Sequence, residues 1–154
     1  MCLIQVAALR SEDPSTKVGA LILDADNRVV SMGYNGLPRG LSLDDFPLDK
    51  RPEKYLYVCH AEMNAILFAD RNSLKGAKMY APFLPCPRCT IEAIQVGITE
   101  VIYATKFESK ADNFDGMATA ALLHKAGVAL RYYEPNVGIM TITADDVNWA
   151  HGAL

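Results

Sequence analysis

Two short runs of this 154-residue chain contain side chains that can bind a metal ion and move protons. The first run is His60-Ala61-Glu62, and the second places Cys86 and Cys89 in a Pro-Cys-Pro-Arg-Cys sequence. Two residues between the cysteines allow both thiolates to meet one ion at the start of a helix, where backbone amides stabilise negative charge. Imidazole and thiolate are ligands that Zn²⁺ prefers. The spacing therefore predicts a zinc site with His60, Cys86 and Cys89 as its ligands.

The number of ligands and the nearby glutamate predict catalysis. Three protein ligands leave one tetrahedral position to water, which distinguishes a catalytic zinc site from a closed structural one. Glu62 follows His60 by two residues in the first turn of a predicted helix, so its carboxylate should lie beside the metal and reach that water. We predict Glu62 to be the catalytic proton shuttle. It would take a proton from that water and deliver it to the substrate.

The cysteines have other interpretations. A Cys-x-x-Cys pair in an α/β protein is also typical of thioredoxin-like redox sites. A closed structural zinc site that recruits Cys59 is a second alternative. Neither alternative explains Glu62. We interpret Cys2 and Cys59 as packing residues, because a free cysteine commonly behaves as a small buried hydrophobe, and His124 and His151 lie far from the motifs in sequence.

Composition and charge restrict the class of protein. Hydrophobic residues make up 51% of the chain, and the formal net charge is −3. Nucleic-acid-binding proteins usually have a basic face, so we expect a small polar substrate and no nucleic-acid partner. The first residues do not resemble a secretory signal, and no stretch is long and apolar enough to cross a bilayer. We expect a soluble, cytoplasmic protein without a membrane partner, and one domain over 1–154 with its core at about 1–134 and a tail at 135–154.

Alternating strands and helices form the predicted framework around the motifs. Runs of β-branched and aliphatic residues predict strands, and apolar residues three or four apart predict helices that stop at Gly97 and Gly127. Such alternation predicts an α/β protein with parallel strands. The predicted elements are a helix over 1–10, a hairpin over 18–23 and 29–34, a polar loop over 41–54, a helix over 60–69, a strand over 78–81, a helix over 87–96, a strand over 101–104, a helix over 117–126, a strand over 128–133, and a further strand and short helix over 138–149.

From residue 10 to about residue 133 the chain resembles the deoxycytidylate deaminase family. His-x-Glu followed by Pro-Cys-x-x-Cys is the signature of zinc-dependent deaminases as a whole. The resemblance implies a three-layer α/β/α cytidine deaminase-like fold with a mixed central five-stranded sheet whose last core strands are parallel. It also implies deamination of dCMP to dUMP, which supplies dUMP for thymidylate synthesis. The matching runs are RSEDP at 10–14, VGA at 18–20, GYNG at 33–36, YVCHAEMNAI at 57–66, PCPRC at 85–89 and GITEVI at 97–102.

Three substrate contacts are implied by the resemblance. Asn35 should hydrogen-bond the sugar, the Ala61 backbone N–H should donate to the pyrimidine O2, and the Leu84 carbonyl should accept from the exocyclic amine. Asn-Gly is also a common turn dipeptide, so a structural interpretation of Asn35 stays open.

The resemblance further implies regulation and assembly. Many members of the family are hexamers that dCTP activates and dTTP inhibits, and the glycine-rich segment 33–40 takes part in effector binding. This chain is therefore expected to form a homo-oligomer. The candidate effector-binding residues are Gly33, Tyr34, Gly36 and Arg39.

The phosphate end of the substrate is the least specified part of the site. A monophosphate needs cationic or amide donors, and the candidates are Lys17, Arg39, Lys106 and Lys110. A loop after Ala104, predicted to continue through 115, is where the chain departs from the family. The alternatives to dCMP are another cytosine nucleotide, a nucleoside, a free base or tRNA. From a different class, a non-catalytic zinc domain that senses nucleotides or mediates assembly is also an alternative.

Overall fold

The computed structural model describes residues 1–104 and 114–134, and its elements follow the predicted order. A first helix and a hairpin precede three helices that alternate with three strands. The longest helix in these ranges has 13 residues, and none is long and apolar enough to cross a membrane. The bounds are α1 (Cys2–Ala8), β1 (Gly19–Leu23), β2 (Val29–Tyr34), a 3-10 helix (Glu53–Leu56), α2 (Ala61–Phe68), a second 3-10 helix (Arg71–Ser73), β3 (Lys78–Ala81), α3 (Pro87–Gln95), β4 (Glu100–Tyr103), α4 (Phe114–Ala126) and β5 (Ala129–Tyr132).

The strands form one mixed sheet in the order β2-β1-β3-β4-β5. β1 is antiparallel to both β2 and β3, whereas β3, β4 and β5 run parallel to one another. Parallel neighbours need crossover connections, which α3 and α4 provide. The carboxyl ends of these strands therefore meet at one edge of the sheet, where α/β proteins place their ligand sites. The predicted mixed five-stranded sheet with parallel last strands is confirmed.

Helices cover both faces of the sheet. Gly19 lies opposite Tyr34 in the β1–β2 ladder, so Gly19 and Gly33 point to opposite faces. A Cβ on Gly19 would lie 1.9 Å from the Ile4 carbonyl oxygen of α1. A Cβ on Gly33 would lie 2.2 Å from the Ala61 carbonyl oxygen of α2. Glycine is needed at both positions for the helices to approach this closely, and the predicted three-layer arrangement is confirmed.

The main core fills the space between the sheet and helices α2, α3 and α4. It is a cluster of buried apolar side chains. The three helices contribute Ala65, Ala93 and Leu123, among others, and the central strands contribute Met79 and Val101. Burying a large aliphatic side chain contributes roughly 1.5–3 kcal/mol to folding. This packing fixes the starts of α2 and α3 relative to the strands, and those starts carry the predicted metal ligands.

Two predicted boundaries are wrong, in both cases where the local signal is weak. The sequence pattern predicts a loop through 115, but α4 begins at Phe114. Phe114 is 80% exposed and Met117 is 62% exposed, so no buried apolar stripe marks the start of this helix. The predicted polar loop over 41–54 ends in a 3-10 helix that buries Lys54. The strand and short helix predicted for the tail lie outside the described residues.

Candidate active site

The three predicted metal ligands lie at the starts of two neighbouring helices. His60 comes immediately before α2 with φ −72° and ψ 154°, and Cys86 takes the same place before α3 with φ −67° and ψ 162°. Pro87 suits the first position of α3, because its φ is preset and a helix does not use the N–H that proline lacks there. Cys89 lies in the first turn of α3. The two helix starts therefore bring an imidazole and two thiols together.

The distances between the ligand atoms fit a tetrahedral metal. His60 Nδ1 lies 3.5 Å from Cys86 Sγ and 3.6 Å from Cys89 Sγ, and all three atoms lie within 4.8 Å of one another. Zn–S bonds of about 2.3 Å and Zn–N bonds of about 2.0 Å at tetrahedral angles require nitrogen–sulfur separations of about 3.5 Å. Among the described residues, this is the only group of three His, Cys, Asp or Glu side chains close enough to share an ion.

The two thiols carry their charge unequally. The hydrogen bond with Cys89, together with the hydrogen bond to His60, lowers the pKa of Cys86 to about 4. The same contact with Cys86, together with burial, raises the pKa of Cys89. The hydrogen bond with Cys86 also raises the pKa of His60. Ionisation of both sulfurs at this distance needs a compensating cation, and a divalent metal between them meets that need.

A cavity of about 260 Å³ opens beside the ligands. Its wall combines charged groups with apolar side chains such as those of Val18, Val58 and Phe83, a mixture typical of small-molecule sites. Residues that are widely separated in sequence meet in this wall. The predicted site residues that line it are Asn35, His60, Ala61, Glu62, Leu84 and Cys86.

Glu62 is buried beside the predicted metal ligands. It lines the cavity and is only 6% exposed. Burial raises the pKa of Glu62, because the charged carboxylate loses its hydration. A carboxylate with a raised pKa takes up protons more readily, which suits a group that transfers protons.

A buried ion pair in the cavity wall was not found from the sequence. Lys54 Nζ lies 2.9 Å from Oδ1 and 2.7 Å from Oδ2 of Asp13, and both residues line the cavity. Asp13 Oδ1 also accepts the backbone N–H groups of Ser15 and Thr16. Burial alone would raise the pKa of Asp13, but these hydrogen bonds outweigh it and lower the pKa. Local patterns cannot identify the pair, because its members lie 41 residues apart.

Asn35 belongs to the same network. Its Oδ1 accepts the Val18 N–H at 2.8 Å, and its Nδ2 donates to the Thr16 carbonyl at 3.0 Å and to Asp13 Oδ2 at 3.4 Å. These bonds support the structural interpretation of Asn35. Its Oδ1 has a second lone pair and the residue lines the cavity, so the contact with the sugar stays a prediction.

Two of the four cations predicted to bind phosphate belong to the described residues, and neither lines the cavity. Lys17 and Arg39 are exposed and are not part of its wall. Lys106 and Lys110 lie outside the described residues. Arg51, which the sequence analysis missed, does line the cavity. A single arginine within a polar loop gives no pattern that would have singled it out.

The glycine-rich segment 33–40 is tied to α2 and to the residue before His60. The Tyr34 carbonyl accepts from Asn64 Nδ2 at 2.7 Å. Gly36 and Cys59 exchange two backbone hydrogen bonds, of 3.1 and 2.8 Å. The Cys59 side chain is partly buried and does not belong to the metal-binding group. Effector binding by this segment stays a prediction.

Comparison with known proteins agrees with this fold and this site. Residues 1–105 match the family described as the cytidine and deoxycytidylate deaminase zinc-binding region. Deoxycytidylate deaminase of Homo sapiens is 38% identical over 153 residues, which cover 96% of this chain and 85% of the relative. The deoxycytidylate deaminase of Mus musculus is 39% identical with the same coverage. The crystal structure of dCMP deaminase from the cyanophage S-TIM5 in apo form has a TM-score of 0.64 at 23% identity, covering 86% of this chain and 92% of that chain.

The mixed sheet, with a His-Cys-Cys group and a buried glutamate at two helix starts, defines a protein of the cytidine deaminase-like fold. The sequence comparisons then specify which branch of this fold is present. The chain belongs to the cytidine and deoxycytidylate deaminase family. The resemblance inferred from the motifs is thus confirmed.

Proposed function

We propose that this chain deaminates dCMP hydrolytically to dUMP and ammonia, with Zn²⁺ held by His60, Cys86 and Cys89. The observation that carries the proposal is the burial of Glu62 in the cavity wall that also contains two of the ligands. The relatives named deoxycytidylate deaminase match nearly the whole chain, which supports dCMP as the substrate. The dUMP produced would supply thymidylate synthesis.

The residues around the cavity account for the proton transfers of this reaction. When bound, Zn²⁺ would lower the pKa of a water ligand to about 7, which makes a nucleophile available at neutral pH. Glu62 accepts a proton from the attacking water and passes it to the ring nitrogen beside the amino-bearing carbon. A C–O bond forms at that carbon. The C–N bond to the amino group then breaks, and Glu62 transfers the second proton of the water to the departing ammonia.

The Ala61 N–H and the Leu84 carbonyl are the backbone groups proposed to bind the cytosine ring. Ala61 is the first residue of α2, and the first N–H groups of a helix have no partner within it. It is buried and lines the cavity, so its N–H suits the pyrimidine O2. Leu84 also lines the cavity, two residues before Cys86, and its carbonyl suits the exocyclic amine. Asn35 completes this set as the proposed partner of the sugar.

Arg51 is the residue that we propose to bind the phosphate. It lines the cavity, and its Nη2 donates to Thr16 Oγ1 at 3.2 Å, a neutral partner that does not cancel the guanidinium charge. Lys54 also lines the cavity, but its ammonium is paired with both oxygens of Asp13. Arginine binds phosphate oxygens through two parallel hydrogen bonds, which makes Arg51 the stronger candidate.

A parallel substrate panel tests the proposed reaction. Ammonia release by the zinc-loaded protein is measured with dCMP, dCTP, deoxycytidine, cytidine, cytosine and guanine. We expect the highest kcat/KM for dCMP. Turnover of another compound without turnover of dCMP would contradict the substrate. No turnover of any compound by protein with a full complement of zinc would favour the non-catalytic zinc domain.

Arg51→Gln tests the phosphate contact. Loss of a charged hydrogen bond of about 1.5–3 kcal/mol should lower kcat/KM for dCMP about 10–100-fold. Deoxycytidine has no phosphate, so its kcat/KM should change little. Lys17→Gln is the matched control, because it removes a cation that lies outside the cavity wall. Equal losses with dCMP and deoxycytidine would assign Arg51 a structural role instead.

Regulation by dCTP and dTTP and assembly into hexamers are further proposals from the family resemblance. Large exposed apolar side chains on three neighbouring helices support subunit contacts, with Leu67 67%, Ile91 49% and Met117 62% exposed. Sedimentation measures the assembly, and ammonia release from dCMP with and without each nucleotide measures the regulation. A monomer whose activity neither nucleotide alters would contradict them.

A further inference from the structure

The turn that carries Cys86 offers few backbone groups by which the protein can hold it. Pro85 and Pro87 have no N–H, so Cys86 provides the one backbone donor in this stretch of three residues. The Cys86 carbonyl already accepts the Thr90 N–H at 3.0 Å, as the first bond of α3. The Pro85 carbonyl is therefore an important point of attachment for the turn.

Thr119 of α4 binds that carbonyl. Thr119 Oγ1 donates to the Pro85 oxygen at 2.9 Å, and the residue is 0% exposed. A threonine inside a helix commonly bonds a carbonyl one turn earlier in its own helix. Here the donor is directed instead at a residue 34 positions away. Thr90 Oγ1 in turn donates to Thr119 Oγ1 at 3.5 Å, so the hydroxyl of Thr119 lies between α3 and the turn.

We propose that Thr119 is a positioning residue for the metal site and, through it, for the reaction. Its hydrogen bond restrains the peptide between Pro85 and Cys86, and so the place of Cys86 Sγ, which lies 3.5 Å from His60 Nδ1. The same turn carries Leu84, whose carbonyl is the proposed acceptor for the substrate amine. Hydrogen bonds that orient metal ligands typically contribute roughly 10–100-fold to metal affinity or activity. The effect on turnover rests on the proposed function, whereas the effect on metal binding does not.

Three substitutions at Thr119 separate the hydroxyl from the packing. Thr119→Val keeps the branched shape without the donor, Thr119→Ser keeps the donor without the methyl group, and Thr119→Ala removes both. Zinc affinity is measured by competition with a chromophoric chelator, and thiolate ligation by the charge-transfer absorption of the Co²⁺-loaded protein. We expect Thr119→Val and Thr119→Ala to lose about 10–100-fold in zinc affinity, whereas Thr119→Ser stays close to wild type. With dCMP, kcat should fall more than KM rises in Thr119→Val and Thr119→Ala, but not in Thr119→Ser.

A second threonine provides the matched control. Thr99 Oγ1 also donates to a backbone carbonyl, that of Gly76 at 3.1 Å, but Thr99 lies immediately before β4, away from the ligands. Thr99→Val should leave zinc affinity, the Co²⁺ spectrum and kcat unchanged.

Several outcomes would overturn the inference. One is a Thr119→Val variant with the zinc affinity and kcat of the wild type. Another is a loss of zinc affinity in Thr119→Ser as large as that in Thr119→Val, which would show that the packing matters and the donor does not. If Thr119→Val does not fold, the contrast between Thr119→Ala and Thr119→Ser decides the question. If the wild type releases no ammonia from dCMP, the proposed function fails, and the zinc affinities still test Thr119.

Discussion

Lys54 and Asp13 form an ion pair of 2.7 Å whose side chains are only 3% and 2% exposed. The pair joins the 3-10 helix before α2 to the loop that follows α1. Desolvation offsets much of the attraction in such a pair, so its presence is weak evidence for added stability. The pair instead fixes part of the cavity wall, because the paired groups line the same cavity as Glu62.

Breaking this pair should be strongly destabilising. Lys54→Met leaves the Asp13 carboxylate buried without its cation, which typically costs about 3–5 kcal/mol. The free energy of unfolding in denaturant measures this cost. Arg28→Met is the control, since Arg28 and Asp26 form an exposed pair at 4.0 Å and such pairs contribute at most about 1 kcal/mol. Equal losses in the free energy of unfolding would show that burial of the pair does not raise the cost of removing its cation.

Asp13 should make the protein sensitive to acid. The pKa of Asp13 is lower in the folded protein than in the unfolded chain, where it is about 3.9. The ionised carboxylate therefore stabilises the folded state. The resulting stabilisation is complete above about pH 5 and disappears as the pH falls through the unfolded value towards the folded one. The difference in free energy of unfolding between wild type and Asp13→Asn should therefore shrink on acidification. Loss of zinc at low pH affects both proteins and cancels in this difference. A difference that does not change with pH would refute the lowered pKa of Asp13.

Metal content should depend on the three proposed ligands and not on Cys59. We expect about one zinc per chain in the wild type, and its loss in His60→Ala and Cys86→Ala, because two remaining ligands bind weakly. Cys59→Ala should keep its zinc. Elemental analysis of dialysed protein measures all of these, and retention of zinc by both ligand variants would refute the ligand set.

Glu62→Gln should separate metal binding from catalysis. The glutamine keeps the size of the side chain but cannot transfer a proton, so deamination should fall about 10²–10⁴-fold while zinc is retained. Glu92→Gln is the control, because Glu92 is a carboxylate of α3 that does not line the cavity. It should keep most of its activity. An active Glu62→Gln variant with normal zinc content would remove Glu62 from the mechanism.

The contact between β2 and α2 should tolerate no side chain at Gly33. A Cβ there would lie 2.2 Å from the Ala61 carbonyl oxygen and 2.3 Å from the Ala65 nitrogen, both backbone atoms. Gly33→Ala must therefore displace α2, with a cost of about 1–3 kcal/mol or more and a loss of zinc affinity. Gly36→Ala is the matched control, because no atom lies within 4 Å of the Cβ it would add. Thermal unfolding and chelator competition measure both effects, and similar behaviour of the two variants would contradict the packing argument.

The His60, Cys86 and Cys89 group and the neighbouring Glu62 are predictable from the sequence because their geometry is local. Cys86 and Cys89 meet through the shape of a single helix turn, and His60 and Glu62 through another. Strands and helices are also predictable from the sequence, because the spacing of apolar residues is a property of short segments. The start of α4 escaped prediction, since Phe114 and Met117 face outward and leave no apolar stripe.

The contacts around this group depend on tertiary structure. Lys54 meets Asp13 across 41 residues, Arg51 meets Thr16 across 35, and Thr119 meets Pro85 across 34. A single lysine, arginine or threonine forms no pattern along the chain, so nothing local distinguishes these residues from solvated ones. Their contacts exist only after the sheet and helices have packed. The sequence by itself therefore determined the proposed reactive centre, whereas the packing of distant segments decided which side chains surround it and which cations line the cavity.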